Sequence, residues 1–357
     1  MIREKAPETH GGVLREHVLN HFAFFLCAFL WLRIRHVKIS VAMCTYNGAE
    51  FLPAQLQSIA AQSRRPDEIV ICDDGSTDET ESVIKHFALA PVVLHSNKQN
   101  LGSVKNFEQA ISLCSGDVIA LSDQDDVWRE DKLKVIGAAF ERNPRTGLVF
   151  SDAEIVDENL NPLNRRMWDE VGFDSHKRKM VAHGRALDVL ITGWTVTGAT
   201  MAFRSNYRNL ALPIPTNIQM IHDGWIALTV ASVSDVVILD EPLIKYRQHA
   251  NQQIGAPTRP PKVPKPSTLR ALKRSNPATE LHQILETLEQ RLMDHRDEFD
   301  CRKALSFTGA YSRHLDARAN LPERRLNRVP TILRELLTWR YHEYANGFKS
   351  AAKDLVS

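Results

Sequence analysis

Between residues 37 and 152, five short apolar runs alternate with segments whose apolar residues recur at helical spacing. The runs are VKISVAMC (37–44), EIVIC (68–72), PVVLH (91–95), DVIAL (117–121) and GLVFSD (147–152). Each is continuous in its apolar character, the pattern of a strand buried on both faces. In 49–62, Phe51, Leu52, Leu56, Ile59 and Ala60 share one helical face, and 81–87, 103–114 and 130–143 read as further helices. Ser76 or Thr77 is placed to cap the helix through ESVIKHF. Strands and helices linked by short loops predict an α/β fold with a mostly parallel, Rossmann-like sheet covered on both faces.

That architecture gives the polar clusters a common address. Ligands of open α/β sheets bind outside the carboxyl ends of the strands. Thr45-Tyr46-Asn47 follow the first run, Asp73-Asp74 the second, and Asp123, Asp125 and Asp126 the fourth. These three loops are expected to line one crevice. Three carboxylates within four positions repel one another, and a hard divalent cation, Mg or Mn, would relieve that crowding through oxygen ligands. The competing reading is that the acids complement the dipole of the following helix. Neither GxGxxG nor GxxxxGK[ST] occurs, which disfavours dinucleotide and P-loop chemistry. Asp74 is a candidate acceptor for a base or ribose, or else a turn aspartate.

Composition excludes little else. The 357 residues carry a net charge of +2, too balanced to make nucleic acid the main partner. Five cysteines without CxxC spacing read as buried thiols of a reducing compartment. The apolar run 22–32 is too short to span a bilayer and has no small-residue cleavage site. It reads as an interfacial segment, as sequence upstream of the true start, or as a packed helix.

ISVAMCTYNGAEFLPAQLQSI, VICDDGSTDET, NLGSVKNFEQAI and ALSDQDDVWREDKL together resemble successive motifs of family 2 glycosyltransferases, closest to a bacterial rhamnosyltransferase-like branch. The resemblance runs from Val37 to Gly255 and implies the GT-A nucleotide-diphospho-sugar fold. It implies nucleotide contacts from Thr45, Tyr46, Asn47 and Asp74, and donor contacts from Lys105 and Asn106. Asp123, Asp125 and Asp126 match the acidic motif, its last acid being the usual metal ligand; Asp123 is assigned to the donor, Asp125 and Asp126 to the ion. TGWTVTGATMAF resembles the segment flanking sugar and acceptor around Gly198, with Ala199 where the family often has cysteine. In QMIHDGWIALTVASV, Asp223 matches the catalytic base, its competing role being a helix N-cap. YRQHANQQIG resembles the closing motif, with Gln248 at the donor, His249 at the metal or diphosphate, and Asn251 completing it. Trp128 and Trp194 either shape the sugar pocket or pack in the core.

The expected organisation is an N-terminal extension (1–36), a GT-A domain (37–255), a proline-rich linker (256–268) and a helical region (269–357). In the last, 279–295 has a leucine stripe, and 331–357 reads as one helix mixing Trp339, Tyr341 and Tyr344 with basic residues. That helix is either packed on the catalytic domain or interfacial. The implied activity is inverting transfer of a sugar, rhamnose among the candidates, from a nucleoside diphosphate to a surface glycan or lipid-linked acceptor. The expected place is the cytoplasm, peripheral on the inner face of the membrane. Two other classes fit the acids less well: an aspartate-based phosphoryl-transfer domain, which would carry them after the first strand, and a non-catalytic nucleotide- or glycan-binding protein.

Overall fold

The computed structural model describes residues 36–87, 91–191, 195–250, 252 and 277–356. The run 22–32, Trp194, Asn251 and the linker 256–268 lie outside them. Lys38–Ser357 is one compact unit, and it holds all the elements named below.

Nine strands form one sheet in the order β3-β2-β1-β4-β8-β6-β9-β5, with β7 (Pro162–Arg166) paired to β6. The first half is parallel: β1 (Ile39–Thr45) lies between β2 (Glu68–Asp73) and β4 (Val118–Ser122), and β3 (Val92–Ser96) flanks β2. Ile39, Val41, Ala42 and Met43 are fully buried because helices cover both faces. Ile39, Val41 and Met43 each contribute roughly 1.5–3 kcal/mol on burial. At the edge, β3 leaves Val93 47% exposed, so its apolar run is not covered on both faces as the sequence suggests. In the second half β8 (Met201–Arg204) runs antiparallel between β4 and β6 (Thr146–Val156). The long β9 (Asp235–Arg247) then runs parallel to β6 and reaches β5 (Val127–Trp128), pairing Val127 with Lys245 and Trp128 with Ile244.

Helix α1 (Leu52–Ala60) has a proline in its first turn and buries Leu52, Leu56 and Ile59. Helix α2 (Thr80–His86) starts later than the expected cap requires. Ser76 and Thr77 are engaged elsewhere: the Ser76 hydroxyl donates to Asp73, and the Thr77 N–H donates to Asn47 Oδ1. Asp78 accepts the Thr80 N–H in their place. Helix α3 (Ser103–Leu113) packs on β1 and β2, α4 (Lys132–Arg142) lies against β6 and β9, and the shorter α5 (Ser175–Ala182) follows β7. Helix α6 (His222–Ala231) is buried nearly all round; Trp225 at its centre donates its indole N–H to the Ala211 carbonyl at 2.9 Å.

The leucine stripe of α7 (Pro277–Asp294) joins this same core through Leu285, Leu288 and Leu292. Arg291 fastens the contact with hydrogen bonds to the Leu210 and Pro213 carbonyls at 2.8 and 2.7 Å. Helix α8 (Arg302–Ala319) packs beside α7 and contributes Ala304 and Tyr311. The single helix expected over 331–357 is instead three: α9 (Arg325–Leu337), α10 (Arg340–Tyr344) and α11 (Phe348–Val356). The breaks fall at Trp339 (φ +65°) and Gly347 (φ +56°), whose left-handed backbone cannot continue a right-handed helix.

Candidate active site

The carboxyl ends of β1, β2 and β4 lie side by side, Thr45 opposite Asp73 and Met43 opposite Ser122. Their loops are tied into one rim. Thr45 Oγ1 donates to Asp73 at 2.7 Å, and the Asp74 N–H donates to the Thr45 carbonyl at 2.8 Å. Asn47, at φ +47°, receives the Thr77 N–H on its side chain and gives its own N–H to Ser76. Gln124 clamps Tyr46 from the acidic loop, accepting its N–H at 2.8 Å and donating to its carbonyl at 3.1 Å.

Asp74 is buried, and its carboxylate accepts the N–H groups of Leu101 and Gly102 and the Asn97 amide at 2.8–3.0 Å. It therefore organises the 97–102 loop directly. Asn106 works beside it: its amide donates to the Cys72 carbonyl at 2.8 Å and its oxygen accepts from Asn97. Lys105 is on the surface in an ion pair with Glu108 at 3.0 Å.

Behind this rim the acids converge. The pairing of β5 with β9 carries 247–249 against the acidic loop. The Arg247 N–H donates to Asp126 Oδ1 at 3.1 Å, and its guanidinium donates to the Asp125 carbonyl at 2.6 Å. His249 Nε2 lies 2.8 Å from Asp125 Oδ2, while Gln248 accepts from Arg165 at 3.2 Å. Asp223 stands in the first turn of α6, whose N-cap position is Ile221. Its Oδ2 accepts the Gly198 N–H at 3.0 Å and its Oδ1 the Gly224 N–H at 2.6 Å. The N-cap reading of Asp223 is thereby set aside.

Electrostatics show how close these groups are. Burial pushes Asp123 up to about 7, aided by Asp125 and Asp223. Burial, then Asp125 and Asp123, raise Asp126 well above the carboxylate range against the Arg247 N–H and Lys132. The Tyr246 hydroxyl is raised by burial and by Asp126, Asp123, Asp125 and Asp223 together. The Cys44 thiol, raised by burial, also feels Asp123 and Asp74. One low-dielectric region thus feels the acids of three separate segments, those of Asp74, of Asp123, Asp125 and Asp126, and of Asp223.

The space has its own cation. Lys132 is fully buried, donating to the Ala199 carbonyl at 2.6 Å with its ammonium 3.6 Å from the Trp128 ring centroid. Burial lowers it to about 7, opposed by Asp126 and Asp123. Trp128 is accordingly a packed residue that covers this lysine. His222 stacks on Phe107 at 4.1 Å, and its Nδ1 is buried without a partner.

A family profile described as Glycosyl transferase family 2 matches residues 40–206. The dTDP-rhamnosyl transferase RfbG of Shigella flexneri is 31% identical over 231 residues, covering 60% of this chain and 74% of its own. An uncharacterized glycosyltransferase of Nostoc sp. is 31% identical over 227 residues, 62% of this chain and 68% of its own. The chain belongs to glycosyl transferase family 2. Its fold is that of the GT-A enzymes: S. aureus TarS 1-349 in complex with UDP-GlcNAc superposes with a TM-score of 0.52 at 14% identity. That match covers 88% of this chain and 90% of the other.

Whether this family 2 glycosyltransferase suits a divalent ion is tested by its donors. Among the described residues, no three His, Cys, Asp or Glu side chains form a metal cage. Mg and Mn seldom need one, holding one or two carboxylates and the substrate's phosphates. Asp126 Oδ2 fits that role, because it is fully buried and has no hydrogen-bond partner. Sequence reasoning missed Gln124, Lys132 and Arg247 in the enzyme. Lys132 had a signal: it falls in helical phase with Leu133, Ile136 and Phe140, the buried face of α4.

Proposed function

We propose that this glycosyltransferase transfers a sugar, with inversion at the anomeric carbon, from a nucleoside-diphosphate donor to a hydroxyl of a bacterial surface glycan or its lipid-linked precursor. A dTDP-linked deoxyhexose such as rhamnose is the leading donor, on the strength of the rhamnosyl transferase relative. The observation that carries the reading is Asp223: a buried carboxylate fixed by two backbone N–H groups, whose field reaches Asp123.

In this scheme Thr45, Tyr46, Asn47 and the loop organised by Asp74 receive the nucleotide. Lys105, Asn106 and Gln248 border the donor, with Asp123 toward the sugar and Gly198 between sugar and acceptor. Asp223 takes the proton of the acceptor hydroxyl as that oxygen forms its bond to the anomeric carbon. The bond from that carbon to the diphosphate breaks, and its electron pair leaves with the nucleotide. Asp126 would hold a divalent ion, with Asp125 and His249 exchanging their mutual hydrogen bond for it. Such an ion, when bound, neutralises charge developing on the departing diphosphate.

Asp223→Asn keeps the shape and removes the base. Turnover is expected to fall about 10²–10⁴-fold, with nucleoside-diphosphate binding by calorimetry retained. Unchanged turnover would remove the assignment. Thermal-shift measurements with thymidine, uridine and guanosine diphospho-sugars, with and without Mn, identify the donor, since a ligand of the folded state raises Tm.

A further inference from the structure

Leu326, Leu333 and Leu337 form one stripe along α9 and point out of the protein, the first and last at 85% and 86% exposure. Folding does not require this stripe, because α9 already buries Ile332 on another side against Tyr341 and Ala351. The apolar surface continues past the helix end. Trp339, in a left-handed conformation that L side chains rarely adopt, is 61% exposed and stacks on His342 at 4.4 Å. His342 meets Phe348 edge-on at 4.7 Å, and Phe348 is 69% exposed.

The charge on this segment is mostly positive, with Glu343 its one exposed acid. Between Arg324 and Val356 there are seven lysines and arginines against three acids. Two of those acids are turned inward: Glu335 pairs with Arg340 and His314, and Asp354 with Arg318. Arg324, Arg325, Lys349 and Lys353 remain exposed beside the apolar residues. Tyr341 and Tyr344, which sequence groups with Trp339, instead face the interior.

We propose that the α9–α11 face docks the enzyme on an anionic lipid bilayer. Leucine and aromatic side chains enter the acyl boundary of such a surface, and flanking lysines and arginines meet the anionic headgroups. A second copy of the chain is a poorer occupant, since a self-complementary interface would set these cationic residues against their own copies. Among the described residues, no helix is long and apolar enough to cross a membrane. The proposal deepens the proposed function and rests on it only for the motive, a lipid-linked acceptor at that surface.

The test is flotation of the full chain with vesicles of phosphatidylcholine alone or containing phosphatidylglycerol. Wild type is expected to float with the anionic vesicles only, and to be released by high salt. The double variant Leu333→Glu/Leu337→Glu should lose this partitioning at least tenfold. Arg324→Gln/Arg325→Gln should lose it roughly 30-fold at low salt, about fivefold per arginine. Both should keep wild-type circular dichroism and nucleoside-diphosphate binding. Failure of wild type to float, or undiminished flotation of the leucine variant, overturns the proposal. So does a wild-type dimer in light scattering that the leucine variant converts to monomer, which would assign the face to a second copy. Absence of turnover with every nucleotide sugar alongside intact flotation would count against the transferase scheme alone.

Discussion

Asp223 shows how much of the site depends on one backbone contact. Gly198 comes so near α6 that a Cβ added there would sit 3.2 Å from His222 Nε2 and 3.4 Å from Asp223 Cβ. The first of these is tighter than ordinary contact, so the His222 ring must give by a few tenths of an ångström, and His222 adjoins the proposed base in the first turn of α6. Gly198→Ala is therefore expected to lower kcat about 10- to 100-fold while nucleoside-diphosphate affinity stays near wild type. Steady-state kinetics beside calorimetry would check this, and an equal loss in both would argue for general disruption. The motif that marks Gly198 is legible in the sequence; the reason a side chain is crowded there is not, because Gly198 and the start of α6 are brought together by the fold. Lys132 teaches the reverse. Its helical phase places it on the buried face, yet a lysine in EDKLKV looks like a solvated residue until Asp123, Asp126 and the Ala199 carbonyl surround it.

Among the elements, the strands and most helices of the first half are where their apolar periods put them. The register between segments distant in sequence is not in any period. Pairing of β5 with β9 joins segments more than a hundred residues apart, and together with the β6–β9 ladder it carries Arg247 and His249 to the acidic loop. The C-terminal helices show another limit, since an amphipathic period over 331–357 cannot reveal a break that depends on left-handed backbone at Trp339 and Gly347. Between α8 and α9, His314 and Glu335 are buried together with Nδ1 and Oε2 2.9 Å apart. Burial lowers His314 below its ordinary value of 6.5, the Glu335 hydrogen bond only partly opposing it, with Arg318 and Asp354 also in its field. The unfolded chain therefore takes up a proton that the folded helices resist. The stabilisation is complete above about pH 6.5 and declines as pH falls below it. Amide protection factors across 302–356, with exchange referred to its base-catalysed intrinsic rate at each pH, should fall from about pH 7 to 5 in wild type, and change less in His314→Gln, which carries no titrating ring.

For the whole molecule, the gathering of Asp123, Asp125, Asp126 and Asp223 is costly in the absence of a bound cation. Asp126 bears the heaviest share, buried with Oδ2 unpartnered. Asp126→Asn should therefore leave the protein in chelator at least as stable as wild type, with Tm equal or higher by a few degrees. The same variant should lose most of its turnover and the Tm increase that Mn and nucleoside diphosphate together give wild type. A variant markedly less stable in chelator would mean that Asp126 serves the fold, not the ligand.

Local patterning sufficed to establish the alternation of strands and helices, the family, and which loops end in acids, because periodicity and motif are properties of short stretches. That β8 separates β4 from β6, that β9 returns to the acidic loop, and that a buried lysine sits among the carboxylates emerge only once the chain is folded. Those outcomes depend on contacts between distant segments, where burial and Coulomb energies are set by three-dimensional neighbours and no stretch of chain contains them.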